Sequence, residues 1–144
     1  MTVDAPVALV DTDVYSALFV SVSAARRRGL EVDGWKSRLA GHRIVISFQT
    51  RAEILVGARL AGWGERRVAA LLEELNSTPT IGLDETVLQS YVSLTAECRA
   101  SGHALHAKHH TGDRWIASCA IAKSIPLLSG DGIYQGSPRL ALLA

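Results

Sequence analysis

Apolar residues along this chain alternate between short continuous runs and helical stripes. The runs are rich in β-branched residues and predict buried strands at 6–10, 43–48, 78–83 and 125–128. Stripes with a spacing of three and four residues predict helices at 12–28, 33–40, 48–61, 65–75, 84–101 and 113–124. A further edge strand is predicted at 140–143. Strands that alternate with helices favour a three-layer α/β/α sandwich with a mainly parallel central sheet, formed by residues 1–144 as a single domain.

Composition narrows the class of protein. The chain has 144 residues, of which 48% are apolar and 20% charged, so we expect a globular domain and exclude a disordered chain. Its apolar runs are too short to span a membrane. The N-terminal stretch MTVDAPVALV has neither a basic segment nor a long apolar one, so we expect no signal peptide and a cytoplasmic protein. Cys98 and Cys119 lie on predicted buried helix faces and are expected to be free thiols.

Four acidic residues are predicted to meet at one end of the sheet. Asp11 and Asp131 each follow a strand, Asp113 begins the helix that leads to the last of these strands, and Glu53 lies in the first two turns after the second strand. Ligands of such sheets bind at the carboxyl ends of the strands. Clustered carboxylates repel one another unless a cation joins them, and oxygen ligands favour Mg²⁺ or Mn²⁺. Such ions could activate water against a phosphodiester.

Each of these acids also has a structural interpretation. Asp11, Asp13 and Asp113 could be N-caps, Asp131 could form a tight turn with the following glycine, and Glu53 could be a solvated helix residue. Taken together, these interpretations leave unexplained why a mostly apolar chain collects acids at the strand-exit end. Both interpretations remain open from spacing alone.

Three blocks of sequence resemble the PIN-domain ribonucleases, and within them the VapC toxins of bacterial toxin–antitoxin pairs. The blocks are LVDTDVYSALF at 9–19, ISFQTRAEILVGA at 46–58 and GDRWIASCAIAKSIPLLSGD at 112–131. The resemblance implies a PIN-like fold and a Mg²⁺- or Mn²⁺-dependent endoribonuclease that cleaves transfer or ribosomal RNA with water as the nucleophile. The positions of the family's catalytic and metal-binding acids correspond to Asp11, Glu53, Asp113 and Asp131.

Three further residues are expected to orient these carboxylates or a water molecule: Thr12, Asp13 and Ser129. Asp13 departs from the family pattern, in which Asn or Ser is common. It could cap the loop or lie near the ions, and we favour the capping role. The resemblance also implies a homodimer, an RNA substrate, a cognate VapB-like antitoxin whose tail covers the acidic cleft, and no membrane association. Candidate contacts to RNA or antitoxin are Arg26, Arg27, Arg28 and Arg114.

Several of these side chains have alternative roles. The three consecutive arginines could instead complement the dipole at a helix C-terminus, and Arg114 could pair with acids of the site.

Trp35 and Trp63 are candidates for antitoxin or RNA contact, whereas Trp115 is assigned to the core. The histidines of the 103–112 loop suggest zinc, but without cysteines we assign them to the surface or to a groove. They are His103, His106, His109 and His110.

Two rival functions fit parts of the sequence. VDTDV resembles the first block of haloacid-dehalogenase-like phosphatases, in which one Asp is a nucleophile and the next an acid/base. Gln135 stands where that family carries a further Asp, and the chain is short for that fold with a cap. The other rival is a PIN fold that binds without catalysis, against which all four acid positions are filled.

Overall fold

Four short parallel strands form the centre of the protein in a computed structural model, which describes residues 5–144. The strands are β1 Val7–Val10, β2 Arg43–Ser47, β3 Thr80–Ile81 and β4 Leu127–Leu128. They are arranged in the order β3-β2-β1-β4, and Leu9 pairs with Val45 on one side and with Leu127 on the other. The chain therefore builds the sheet outward from β1 in one direction and then places β4 on the opposite side of β1. This reversal is a topological switch point, where ligand crevices form.

Seven α-helices connect the strands within residues 5–144. They are α1 Thr12–Tyr15, α2 Val22–Arg27, α3 Val32–Leu39, α4 Phe48–Leu60, α5 Glu65–Asn76, α6 Glu85–Ser101 and α7 Thr111–Lys123. A π-helical turn at Ser16–Val20 joins α1 to α2, and 3₁₀ turns occur at Ala104–His106, Lys108–His110 and Gly132–Tyr134. None of the helices in this part of the chain is both long and apolar enough to cross a membrane.

The sheet separates two apolar cores, which confirms the predicted three-layer α/β/α architecture. Successive strand residues point to opposite faces: Val10 packs into the core under α1–α5, whereas Leu9 packs into the core under α6 and α7. In β4, Leu128 and Leu127 divide between the two cores in the same way. Because both faces are covered, the strands are apolar on both sides, as the continuous runs in the sequence predict.

Local signals in the sequence set several helix ends. The Ser47 hydroxyl accepts a hydrogen bond from the Thr50 N–H at 3.0 Å and caps α4, and the Asp84 carboxylate caps α6 by accepting from the Val87 N–H at 2.9 Å. Gly102 ends α6 with a φ of 74°, a left-handed conformation that glycine adopts without strain. These predicted helix boundaries are confirmed.

Other predicted elements differ in the structure. The single helix predicted at 12–28 is interrupted at Ser21, whose N–H bonds to the Ser16 carbonyl at 2.7 Å, five residues back. Only Thr80–Ile81 of the predicted 78–83 strand and Leu127–Leu128 of the predicted 125–128 strand are paired. At 140–143 a lone parallel bridge joins Leu142 to Leu127 in place of the predicted strand. The 103–112 loop is organised as 3₁₀ turns and the start of α7.

Trp35, Trp115 and both cysteines pack into the two cores. Trp35 is 4% exposed, so the prediction that it contacts RNA or an antitoxin from the surface is wrong. Trp115 packs against the α6–α7 core, as predicted, and its ring stacks on that of Tyr91 with centroids 3.8 Å apart. Both cysteines, Cys98 and Cys119, are buried and free, as predicted.

Candidate active site

The loops that follow β1 and β4 are tied together at the switch point by Asp11. This residue is the N-cap of α1, since its Oδ1 accepts a hydrogen bond from the Val14 N–H at 3.0 Å. Its other carboxylate oxygen accepts from the Ser129 hydroxyl, and that hydroxyl in turn accepts from the Asp131 N–H at 2.9 Å. Asp11 is only 5% exposed. The capping role and a place in the site therefore coexist in one side chain.

Glu53 is oriented from the loop after β1, although it belongs to the second turn of α4. The Thr12 hydroxyl donates to Glu53 Oε2 at 2.9 Å and lies 3.0 Å from the hydroxyl of Thr50, which is fully buried. The Ser47 cap fixes the start of α4 and thereby the height of Glu53 above the sheet. The predicted contribution of Thr12 to carboxylate orientation has this hydrogen bond as its geometric basis.

Asp113 is held by two side chains that sequence reasoning did not assign to the site. Its Oδ2 lies 2.8 Å from Nδ1 of His110, and its Oδ1 accepts from the Tyr134 hydroxyl at 3.2 Å. Tyr134 is 2% exposed and follows Asp131, whose carboxylate accepts from the Ile133 N–H at 3.0 Å and starts a 3₁₀ turn. The only sequence signals were short spacings: His110 precedes Asp113 by three residues, and Tyr134 follows Asp131 by three.

The four predicted acids converge on one cleft of about 90 Å³. The residues that line it are Asp11, Thr12, Asp13, Glu53, Asp113, Ile116, Asp131 and Tyr134. Asp13 lies in the first turn of α1, and the cap of that helix is Asp11, so the capping role predicted for Asp13 is wrong. The structure thus brings the predicted acids together, and their chemical roles stay predictions.

Electrostatics in this cleft disfavour negative charge. Burial raises the pKa of Asp11 from 3.8 to about 6, against the opposing hydrogen bond from Ser129, and the charges of Asp13 and Asp131 raise it further. Desolvation is also the largest cause of a raised pKa at Glu53, to which the neighbouring charge of Asp113 adds. A cation in the cleft would relieve both the repulsion and the cost of burying charge.

The donor set fits a hard divalent cation by its chemistry. All four acids present carboxylate oxygens, which Mg²⁺ and Mn²⁺ prefer, and no cysteine lines the cleft. Within residues 5–144, however, no three His, Cys, Asp or Glu side chains are arranged to hold a metal as they stand. The carboxylates would have to move inward to close on an ion.

The predicted arginine contacts fall into different environments. Arg114 is 5% exposed, and its guanidinium donates to the carbonyls of Leu105 and Ala107, so its burial argues against contact with RNA or an antitoxin. It pairs with no acid of the site either. Arg26 forms an ion pair with Asp33 at 2.9 Å. The two arginines that follow Arg26 in the sequence are exposed.

The sequence is similar to those of known proteins. Residues 8–135 match the family model described as PIN domain. The chain is 28% identical over 139 residues to a protein named Ribonuclease VapC4 from Mycobacterium tuberculosis (strain ATCC 25618 / H37Rv). That alignment covers 94% of this chain and 95% of the relative.

Solved structures share the fold at lower sequence identity. A chain from VapBC2 of Rickettsia felis, solved bound to a DNA fragment from the promoter, superimposes with a TM-score of 0.72 at 21% identity, covering 94% of this chain and 96% of that one. A chain from FitAcB of Neisseria gonorrhoeae gives a TM-score of 0.70 at 21% identity, with coverages of 95% and 96%. At these identities the similarity extends to the fold alone.

Proposed function

The chain belongs to the PIN-domain family, and from that premise we propose that it is a divalent-metal-dependent endoribonuclease, the toxin of a VapBC-type toxin–antitoxin pair. The observation that carries the proposal is the convergence of Asp11, Glu53, Asp113 and Asp131 on one cleft at the switch point of the sheet. The name of the Mycobacterium relative supports the choice of RNA as the substrate. The proposal treats the whole chain as one catalytic domain.

In the proposed mechanism, the carboxylates of the four acids would hold Mg²⁺ or Mn²⁺. When bound, such an ion supplies positive charge for the phosphodiester and acidifies a water molecule. Ser129, Thr12 and Tyr134 keep the carboxylates in position through neutral O–H donors, so they add no charge that would compete with a cation. The reaction adds water across a P–O bond of the RNA, which leaves one fragment with the phosphate and the other with a hydroxyl group.

The partners belong to the same proposal. Similar solved structures include a toxin–antitoxin complex from Klebsiella pneumoniae and a member of the VapBC family of toxin–antitoxin systems from Mycobacterium tuberculosis, which supports a VapB-like antitoxin for this chain. Large apolar side chains exposed on α4 and α6, including Leu60 at 84% and Val92 at 56%, offer surface for an antitoxin or for a homodimer. We place the protein in the cytoplasm, where transfer and ribosomal RNA are its proposed substrates.

The first test is RNA cleavage by the purified protein in Mn²⁺ and in EDTA. We expect cleavage with Mn²⁺ alone, and we expect Asp11→Asn to reduce it by more than the roughly 100-fold that loss of a ligand-orienting group costs. Asp33→Asn is the matched control, because Asp33 lies on the surface in a pair with Arg26. Binding of RNA without turnover, with the wild type and Asp11→Asn indistinguishable, would identify a non-catalytic PIN module instead.

The second test addresses the target and the partner. Mapping of cut ends in cellular RNA after induction should give ends that are absent from cells expressing Asp11→Asn. Co-expression of the antitoxin should suppress these ends. A phosphatase of the haloacid-dehalogenase type would instead hydrolyse small phosphate monoesters through an aspartyl-phosphate and leave the RNA intact.

A further inference from the structure

We propose that a groove next to the acidic cleft binds the nucleoside adjacent to the scissile phosphate, with Arg28 contacting that nucleotide's phosphate. This groove, the flanking groove, is lined by residues that include Asp13, Ala24, Arg28, Trp35, Gly130 and Asp131. The inference rests on the proposed ribonuclease function and assigns a substrate-binding role to a surface outside the carboxylates.

The size of the acidic cleft is the first step. Its volume of about 90 Å³ is about a quarter of that of the flanking groove. The flanking groove has a volume of about 350 Å³, within the range of about 300–1,000 Å³ found for small-molecule sites. A nucleoside of the substrate therefore fits the groove and not the cleft.

The acidic cleft and the flanking groove adjoin each other. Asp13 and Asp131 line both of them, one from the loop after β1 and the other from the loop after β4. An RNA strand with a phosphate at the cleft must place one of its adjoining nucleosides within reach of these two residues. The groove extends from that point along the π-helical turn and α2.

The walls of the groove suit a flat, partly apolar ligand. Small residues such as Ala24 leave its α2 side open, and the opposite side is formed by Gly130 in front of the Trp35 indole. A Cβ built at position 130 would come 2.7 Å from Trp35 Cζ2, so only glycine allows this close approach of the loop to the ring. Because the indole is only 4% exposed behind Gly130, a ligand in the groove would meet the loop backbone and the small side chains, which suit a planar base by shape.

The flanking groove also carries charged side chains that suit a nucleotide. Arg28 lines the groove, and in the described part of the chain it forms no ion pair, whereas the nearby Arg26 is engaged by Asp33. A guanidinium without a carboxylate partner can donate to a phosphate. Asp13, at the end of the groove next to the cleft, presents acceptor oxygens to amino or hydroxyl groups of the nucleoside. The arrangement is complementary to a nucleotide, which carries both an anionic group and hydrogen-bond donors.

The test measures binding of the four nucleoside 5′-monophosphates and of inorganic phosphate to the full chain in Mg²⁺ by calorimetry. These probes contain no phosphodiester, so binding is read without turnover. Ala24→Leu, which fills the groove, should weaken nucleotide binding about tenfold or more. The matched control is Ser23→Leu, one residue away on the exposed side of α2, which should bind as the wild type does.

A second pair of variants tests the charge. Arg28→Ala should weaken nucleotide binding by roughly tenfold, the loss expected for a charged hydrogen bond. Arg99→Ala, which removes an exposed arginine from the C-terminal turn of α6, should have no effect. Inorganic phosphate should bind more weakly than every nucleotide and should be insensitive to Ala24→Leu.

Three results would overturn the inference: nucleotide binding unchanged in both Ala24→Leu and Arg28→Ala, phosphate that binds as tightly as the nucleotides, or loss of antitoxin neutralisation in Ala24→Leu with nucleotide binding intact. The last would identify the groove as a protein-docking surface. Nucleotide binding that depends on Ala24 and Arg28 in a protein that cleaves no RNA would support the groove while refuting the ribonuclease.

Discussion

Replacement of Asp11 by Asn should stabilise the metal-free protein at neutral pH, although it removes a residue that the proposed activity requires. Asp11 is 5% exposed, and burial raises its pKa from 3.8 to about 6. The folded state therefore resists ionisation of this carboxyl, while the unfolded chain ionises it freely. Above the folded pKa, the buried charge reduces the free energy of unfolding, and a neutral side chain of the same shape removes that cost.

The size of the effect follows from the two pKa values. The difference between 3.8 and about 6 corresponds to about 3 kcal/mol, at about 1.4 kcal/mol per pKa unit. The carboxamide oxygen can still accept from the Val14 N–H, but the amide NH₂ cannot accept from the Ser129 hydroxyl, which costs about 1 kcal/mol. The expected net gain for Asp11→Asn is about 2 kcal/mol at pH 7.5.

The pH dependence has a defined sign. Stability of the wild type should fall as the pH rises from about 4 to about 6, because the unfolded chain loses the Asp11 proton first. At pH 4.5 the cost of the buried carboxyl is only about 1 kcal/mol, so wild type and Asp11→Asn should then be nearly equal in stability. Urea unfolding in EDTA, followed by tryptophan fluorescence at pH 4.5 and 7.5, measures both differences.

Asp33→Asn provides a control of opposite sign. The hydrogen bond and charge of Arg26 lower the pKa of Asp33, so its ionised form favours folding above its ordinary pKa, and the substitution should not stabilise the protein at pH 7.5. Saturating Mg²⁺ should stabilise the wild type, by about 2.7 kcal/mol at 100 times the dissociation constant, and leave Asp11→Asn unchanged. An Asp11→Asn variant whose stability difference from wild type is the same at both pH values would refute the argument from burial.

Three further substitutions test other contacts. Tyr134→Phe removes the hydroxyl that donates to Asp113 and should weaken Mn²⁺ binding about tenfold by calorimetry while leaving the fold intact. Arg114→Met leaves the buried Leu105 carbonyl without its donor and should lower the free energy of unfolding by about 1–3 kcal/mol in urea. Gly130→Ala should cost about 1–3 kcal/mol by the same measurement, because its Cβ meets the indole behind it, whereas Gly132→Ala meets no atom within 4 Å and serves as its control.

Each of these has an outcome that contradicts it. Equal Mn²⁺ affinity in Tyr134→Phe and wild type would show that the hydroxyl does not position the carboxylate. Wild-type stability in Arg114→Met would mean that water replaces the guanidinium, and the exposed Arg99→Ala gives the baseline for loss of one positive charge. Equal stability of the Gly130 and Gly132 variants would mean that the Trp35 ring moves aside at no cost.

The sequence predicts the framework of the site because the end of a strand can be recognised in the linear sequence. The apolar run that ends before Asp11 and the run that ends before Ser129 locate the carboxyl ends of β1 and β4, and parallel pairing then brings those ends together. The spacing of Ser47 and Glu53 follows from the N-cap and the helical turn. None of this requires knowledge of the rest of the molecule.

Side-chain partnerships across loops could not be predicted in this way. Tyr134 reaches Asp113 only because a 3₁₀ turn after Asp131 directs its ring inward, and Arg114 turns into the core, where its guanidinium donates to the Leu105 and Ala107 carbonyls of the preceding loop. Trp35 was assigned to the surface from nearby glycines, but the indole is covered by the strand-exit loop. Each of these depends on loop geometry that the hydrophobic pattern does not encode.

The hydrogen-bond donors that hold the carboxylates explain why the cleft suits a cation. Three of the four acids accept from neutral hydroxyls: Asp11 from Ser129, Glu53 from Thr12 and Asp113 from Tyr134. Neutral donors fix the direction of a carboxylate without cancelling its charge, whereas a lysine or arginine would do both. The arginine closest in sequence, Arg114, is directed away from the cleft into the core. Among the described residues the only basic partner of the four acids is His110, whose Nδ1 lies 2.8 Å from Asp113 Oδ2. The folded chain therefore holds buried negative charge at a cost in stability, and the binding of a divalent cation would offset that cost.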